Sequence, residues 1–402
     1  MAGLVTVESI TNPDKTFFQD RGIKSLIARA TSVDTGEKVV TLEDGSTLSY
    51  DKLLIATGAS PAIPPLEGID LDGVFSLRDT TDALKIINYL EAKSITNVTV
   101  LGAGSIALEL ATFLLKTKPS LNVTLVIRSR PLRTALDPEF STKVEEYLVE
   151  KGIKLKLGEN VLKILGKKGK VSGIELTSGE NFDTEMVLVS MGVKTNLELA
   201  ESIGLDIGRF GIKVNPYMET SVPDIFAAGD CVEKECFITK KPIAAQTRSP
   251  AVIQGRLIAK RLAGYDIKFP GVFRSLAVKL FDKSIASVGL TEVEAQKEDI
   301  ETIGSTVDSS NTHKMLPGVK PCTFKLVFNK RDHKLIGGQI FSDSEMPVKE
   351  IDTLTALISG KATISDLTTF MGTGYPDLSS EPSREPIALA AEQALQKVKG
   401  AN

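Results

Sequence analysis

The chain has 402 residues, 42% hydrophobic and 25% charged, too apolar for a disordered chain and long enough for two or three packed domains. With 48 basic against 51 acidic residues the net charge is −3, so no global basic field exists to recruit nucleic acid or anionic lipid. No apolar run reaches the length of a membrane span and Met1–Asn12 carries no leader pattern, so the cytoplasm is the expected location.

Three cysteines, Cys231, Cys236 and Cys322, are odd in number and too few for a disulfide framework, which suits a reducing compartment. With His313 and His333 as the only histidines, neither a metal cluster nor a histidine-based hydrolytic triad is expected.

In chain order, Glu37–Ser49 reads as a hairpin turning at Asp44-Gly45, followed by a buried-type strand, Lys52–Ala56, that stops at Thr57-Gly58. A proline-rich connector, Pro61 to Pro65, leads to a unit beginning near Thr96. There an apolar strand, Asn97–Leu101, runs into Gly102-Ala103-Gly104-Ser105-Ile106-Ala107 and an amphipathic helix through Lys116. This Gly-x-Gly-x-x-Ala pattern is a dinucleotide cradle. Gly102 permits the tight turn, Gly104 lets the backbone approach a pyrophosphate, Ala107 allows the helix close to the strand, and the helix N-terminus offers unpaired N–H groups. Gly102, Gly104 and Ile106 are the expected coenzyme contacts, with a plain strand–turn–helix as the alternative.

Asn122–Ile127 reads as the next parallel strand. A carboxylate about 20 residues past the glycines usually holds the ribose 2′-hydroxyl of NAD, whereas this strand ends in Arg128-Ser129-Arg130. Two guanidinium groups flanking a hydroxyl suit the 2′-phosphate of NADP, so NADPH is expected in preference to NADH; a solvated basic strand end is the alternative. The unit continues through Lys154–Lys156, a hairpin across the basic run Lys163–Lys170, and Met186–Met191, ending at Gly192. The basic run fits a solvated turn better than a binding patch. Pro223–Asp230 is a short strand into a turn carrying one acid. From about Gly271 the texture changes to strands Ser284–Val288, Thr323–Phe328 and Lys334–Phe341 and a helix around Val348–Ser359, a separate α+β domain.

Three motifs in this order, Leu53-Leu54-Ile55-Ala56-Thr57-Gly58, the Gly102 cradle, and Thr220–Asp230, resemble the FAD-dependent pyridine nucleotide-disulfide oxidoreductases. The nearest branch is similar to coenzyme A-disulfide reductases and NADH oxidases, through Gly289-Leu290-Thr291-Glu292, Gly337-Gly338-Gln339, and Gly374-Tyr375-Pro376 leading to Glu385-Pro386. The histidine that glutathione reductases carry in their terminal segment is not in this one.

The resemblance implies an α/β fold of two nested Rossmann-like dinucleotide-binding domains, the first incomplete, plus a C-terminal α+β dimerisation domain. Its expected divisions are 1–95 and 213–268 for FAD, 96–212 for NAD(P), and 269–402 for dimerisation. It implies cofactors FAD and NADPH (or NADH), and hydride passing from NAD(P)H through FAD to a disulfide, persulfide or dioxygen. Thr57, Gly58, Gly229 and Asp230 would hold the flavin, Asp230 accepting from a ribitol hydroxyl. Gly192 would lie beside the nicotinamide nucleotide. Glu109 would face the nicotinamide, an ordinary surface carboxylate being the alternative. Tyr375 would reach the acceptor site across a homodimer, with an interface tyrosine as the alternative.

The family begins with a strand–glycine turn–helix for the ADP half of FAD and a nucleophilic cysteine soon after, and Met1-Ala2-Gly3-Leu4-Val5 starts beyond both. The expectation is a truncated start; an accessory NADP(H)-binding subunit without flavin chemistry is the alternative. Cys231 and Cys236 have the spacing of a redox pair in other flavoprotein reductases, yet Cys231 directly follows Asp230, where the family often has a bystander. A bystander role is expected there, and a structural thiol at Cys322.

Overall fold

Five strands that the sequence writes as short apolar runs lie side by side in a parallel sheet, in the order Val74–Ser76, Met186–Val189, Asn97–Leu101, Asn122–Ile127 and Lys154–Leu157. The inner strands bury residues on both faces, as strands covered on both sides must, which explains their continuous rather than alternating hydrophobicity. The chain passes from Asn97–Leu101 outward to Asn122–Ile127 and Lys154–Leu157, then returns to Met186–Val189 on the other side. The end of Asn97–Leu101 therefore sits at the point where strand order reverses, the place an open parallel sheet binds ligands.

The computed structural model describes residues 16–400; the expectations that concern Met1–Asn12 lie outside the described residues. Contacts group the chain into two units. One extends to Ala62 and takes in Leu77–Asn88 and Gly192–Val272; the other comprises Ile63–Ser76, Tyr89–Met191 and the chain from Phe273 onward.

In the second unit the helix Ser105–Thr117 buries Ala107, Leu108, Ala111, Thr112 and Leu114, an apolar stripe at helical spacing. The basic run becomes a hairpin, Val161–Lys167 with Lys170–Leu176, closed by Lys168 and Gly169. Both turn residues have positive φ, the geometry whose twist matches paired strands. The same unit carries an antiparallel sheet in the order Leu276–Leu280, Lys283–Gly289, Leu335–Ser342, Pro321–Asn329 and Thr302–Ser310. Helices Glu350–Ser359 and Pro386–Val398 pack on it.

The first unit holds the antiparallel sheet Ala30–Asp34, Val39–Leu42 and Thr47–Ser49, turning at Gly45 with φ of 82°. Leu53–Ile55 pairs in parallel with Ile225–Ala227. Helix Arg248–Leu262 completes it.

Helix Thr80–Ala92 was not expected from the sequence. It buries only Ala83 and Ile86, so its periodicity is thin, and the proline-rich stretch before it masks its start. No helix among the described residues is long and apolar enough to cross a membrane.

Candidate functional site

Gly102 follows the last residue of strand Asn97–Leu101 with φ of 127°, and a Cβ there would lie 2.1 Å from the Ser190 carbonyl oxygen. Only glycine fits, on conformation and on space alike. Gly104 is different. Its φ of −78° and ψ of 174° suit any residue, and a Cβ there would meet no protein atom within 4 Å. The protein's own packing does not require this glycine, so the room in front of it is available to something else. Gly104 is also the N-cap of helix Ser105–Thr117 and no side chain caps that helix, leaving the first-turn N–H groups facing the open space. Ala107 is fully buried against the strand, Ile106 is exposed beside the turn, and Glu109 lies on the exposed side of the next turn. Surrounding protein still desolvates the Glu109 carboxyl enough to raise its pKa above the usual glutamate value.

The structure separates the two arginines. Arg128 is exposed at the end of strand Asn122–Ile127 and, among the described residues, makes no hydrogen bond or ion pair. Arg130 folds back: Nη1 donates to Leu136 O at 3.2 Å and Nη2 to Arg133 O at 3.2 Å.

In the first unit Thr57-Gly58 follows strand Leu53–Ile55 and is tied by Asn196. The Thr57 hydroxyl donates to Asn196 O at 2.8 Å, Asn196 Nδ2 donates to Thr57 O at 2.8 Å, and Asn196 N donates to Gly58 O at 3.0 Å. Gly58 has φ of 69°. A cavity of about 600 Å³ opens here, lined by Arg29, Ala30, Thr31, Thr57, Ser60 and Asn196 among others.

Gly229 and Asp230 sit at the end of the paired strand Ile225–Ala227. Gly229, at φ of 84°, donates its N–H to Gln254 Oε1 at 2.9 Å, and Gln254 is 1% exposed. Lys234, also buried, donates from Nζ to Gly229 O at 2.7 Å and Val232 O at 3.2 Å. Its burial lowers the ammonium pKa, an effect the Asp230 carboxylate partly opposes. Asp230 Oδ2 pairs with Arg78 Nη2 at 3.0 Å, leaving Oδ1 without a protein partner among the described residues.

Asn196, Gln254, Lys234 and Arg78 were not singled out from the sequence. Gln254 is detectable in principle, as a polar residue on the inner face of a helix; Asn196 and Arg78 become visible only once distant segments meet, and Lys234, with partners two and five positions away, reads in sequence as an ordinary surface lysine.

Gly192, at φ of 103°, is exposed and its carbonyl accepts from Ala62 N at 2.9 Å. Tyr375 is 58% exposed in the second unit, and Met371 and Leu378, close to it in sequence, are exposed as well. All three cysteines are free and buried. Cys231 donates to Ala228 O at 3.2 Å, and burial pushes the Cys322 thiol up to about 12, which leaves it protonated and inert.

The sequence matches the family model of the pyridine nucleotide-disulphide oxidoreductases over residues 6–254 and the dimerisation domain of that family over 276–385. It is 36% identical to a protein of Methanocaldococcus jannaschii named NADH oxidase, over 97% of this chain and 86% of the relative. It is 34% identical to an NAD(P)H coenzyme A polysulfide/persulfide reductase of Pyrococcus horikoshii, over 95% of this chain and 85% of that one. Among solved structures, an NAD-dependent persulfide reductase from A. fulgidus superposes with a TM-score of 0.91 at 34% identity, covering 96% of this chain and 71% of its own. The fold class and branch expected from the motifs are borne out, and the chain belongs to the pyridine nucleotide-disulphide oxidoreductase family.

Proposed function

We propose that this chain is a flavoprotein NAD(P)H oxidoreductase that passes hydride from NAD(P)H through FAD to a disulfide, persulfide or dioxygen acceptor, as a cytoplasmic homodimer. The observation that carries the reading is Gly104, a glycine that neither φ nor packing demands, held at an uncapped helix start where the parallel sheet reverses. A pyrophosphate there would receive the first-turn N–H groups, and Arg128 would take a 2′-phosphate. Glu109 would orient the nicotinamide end.

The residues of the first unit fit a flavin nucleotide. Asp230 keeps one carboxylate oxygen for a ribitol hydroxyl, Gln254 and Lys234 fix the turn that aims it, and Thr57-Gly58 borders an open cavity. When bound, the flavin supplies the redox chemistry that links nicotinamide to acceptor. Tyr375, exposed on a stretch with large apolar neighbours in the matched dimerisation domain, would complete the acceptor site from the partner subunit. Relatives named NADH oxidase and NAD(P)H coenzyme A polysulfide/persulfide reductase support this range of acceptors. Three free cysteines suit a reducing compartment.

The test is flavin absorbance per chain together with NADPH and NADH consumption in the presence of a low-molecular-weight disulfide, polysulfide or dioxygen. Flavin near one per chain and turnover with one of these acceptors are expected. A colourless protein that binds NADPH and turns over none of them would favour an accessory nicotinamide-binding subunit.

A further inference from the structure

The most deeply buried charge cluster in the second unit lies away from the glycine turn and joins two structural layers. Lys325, in strand Pro321–Asn329, has a side chain 4% exposed. Its ammonium meets Asp137 Oδ2 at 2.9 Å and Glu292 Oε2 at 2.6 Å, and it also pairs with Glu139. These three carboxylates lie close enough together to resemble a cation site, and the lysine ammonium already fills it.

Asp137 is itself 1% exposed and fully engaged. Its carboxylate accepts from Glu292 N and Val293 N at 3.2 Å each and from Gln339 Nε2 at 2.7 Å, and its own N–H donates to Gln339 Oε1 at 2.7 Å. Burial alone would push this carboxyl up, but Lys325 and Gln339 hold it below the ordinary aspartate range. Burial likewise opposes the Lys325 charge, and Glu139, Glu292 and Asp137 override it. Lys325 and Asp137, both buried, hold one another in place, because displacing either would leave the other's charge without its buried partner.

Asp137 ends a short loop that follows strand Asn122–Ile127 and carries Arg128 and Arg130. Within it Leu132, buried and at φ of 51°, donates its N–H to Ala103 O of the glycine turn at 2.9 Å. Leu136 N donates to Leu132 O at 2.9 Å, and Leu136 and Arg133 carbonyls hold the Arg130 guanidinium. Ser141 Oγ donates to Pro131 O at 2.8 Å, and Arg274 Nη2 to Thr134 O at 3.2 Å. From Lys325 the path thus runs through its ion pair with Asp137, the Leu136–Asp137 peptide link, and the Leu136-to-Leu132 and Leu132-to-Ala103 hydrogen bonds, to the carbonyl between the two cradle glycines. A non-glycine residue in the left-handed region persists only where its surroundings hold it, and Leu132 is held at both ends.

We propose that Lys325 is a positioning residue for the coenzyme: by anchoring Asp137 it fixes the 131–136 loop, and through Leu132 and Arg130 it sets the glycine turn and strand end that grip the nucleotide. This rests on the nicotinamide-coenzyme reading of the Gly102–Gly104 turn. The residue touches no reacting atom, so its removal acts on coenzyme binding and not on the chemical step.

The experiment compares the full chain with Lys325→Met, Lys325→Arg and Asp137→Asn. It uses NADPH and NADH titrations, KM and kcat, and hydrogen exchange of the amides from Leu132 to Leu136. Lys325→Met is expected to raise the NADPH Kd and KM by roughly three- to thirtyfold with kcat held, the scale of coupling carried through intervening residues. Amide exchange at Leu132 should accelerate in the same variant, and Lys325→Arg should restore both. If Lys325→Met does not fold, Asp137→Asn carries the same expectation, since it keeps shape while removing the buried one of the three charges that Lys325 meets. A lowered melting temperature with coenzyme KM and Leu132 exchange unchanged would overturn the proposal and leave the cluster purely structural. Failure of the unmodified protein to bind either coenzyme would overturn the proposed function instead, and the Leu132 exchange rates would still decide whether Lys325 controls the turn.

Discussion

The Arg130 guanidinium donates to the Leu136 carbonyl at 3.2 Å, which commits it to the loop behind the glycine turn and leaves Arg128 as the uncommitted cation of the pair. Two neighbouring arginines that look alike in sequence thus have different surroundings. Arg128→Glu should weaken NADPH binding by about 1.5–3 kcal/mol, roughly ten- to a hundredfold, through loss of a charge-assisted phosphate contact, and spare NADH. Arg130→Ala should weaken both coenzymes together, because it loosens the loop. Fluorescence titration with the two coenzymes checks this; equal loss for both in Arg128→Glu would rule out a 2′-phosphate role.

The two cradle glycines should also part company. Gly102→Ala places a Cβ against the Ser190 carbonyl at a φ that disfavours side chains, so it should destabilise by on the order of 3 kcal/mol or more. Gly104→Ala has room and an ordinary φ, and should cost about 1 kcal/mol at most as a poorer N-cap. Its coenzyme affinity should nevertheless fall roughly tenfold or more, since the Cβ occupies the approach of a pyrophosphate. Thermal melts and NADPH titration of both variants separate the two effects. Undiminished NADPH affinity in Gly104→Ala would show that the turn is not a pyrophosphate cradle.

Gln254 accepts the Gly229 N–H from a fully buried position, so Gln254→Leu leaves that donor unpaired. The expected loss is about 1–3 kcal/mol of stability. The turn carrying Asp230 should loosen with it, so flavin per chain should drop below that of the parent protein. A normal flavin ratio in a destabilised variant would mean that Asp230 does not need the turn.

Much of this was legible in the residues. Gly102 announces itself because a tight turn after a buried strand admits nothing else, and Lys168-Gly169 because two positive-φ residues close a two-residue hairpin. Asn122–Ile127 shows its extent because all of it after the exposed Asn122 is buried and, apart from Thr124, aliphatic. Strand Thr302–Ser310 lacks that signal: its alternating buried positions Ser305, Val307 and Ser309 include two serines, and it packs on helix Pro386–Val398, far along the chain. The Arg78–Asp230 pair spans 152 positions and the Asp137–Gln339 pair 202. Such pairings leave no local signature, since either partner alone reads as a solvated polar residue.

Glu385 carries the last expectation, on pH. Its carboxylate caps helix Pro386–Val398 by accepting from Ala388 N at 2.6 Å, yet burial, aided by the like charge of Glu350, raises its pKa above the ordinary 4.5. Between 4.5 and the raised native value the folded protein binds more protons at this site than the unfolded chain does, so stability falls as pH rises through that window. Above that window the protein carries the full cost of the buried charge. Glu385→Gln keeps an acceptor for Ala388 and removes the charge, at the loss of about 0.3–1 kcal/mol of favourable interaction with the helix dipole. The variant should therefore melt higher than its parent at pH 7 and converge with it below pH 4.5, where the parent's carboxyl is protonated in both states. Paired thermal melts across pH 4 to 8 decide it. A variant less stable at pH 7 would show that cap charge outweighs burial at this helix start.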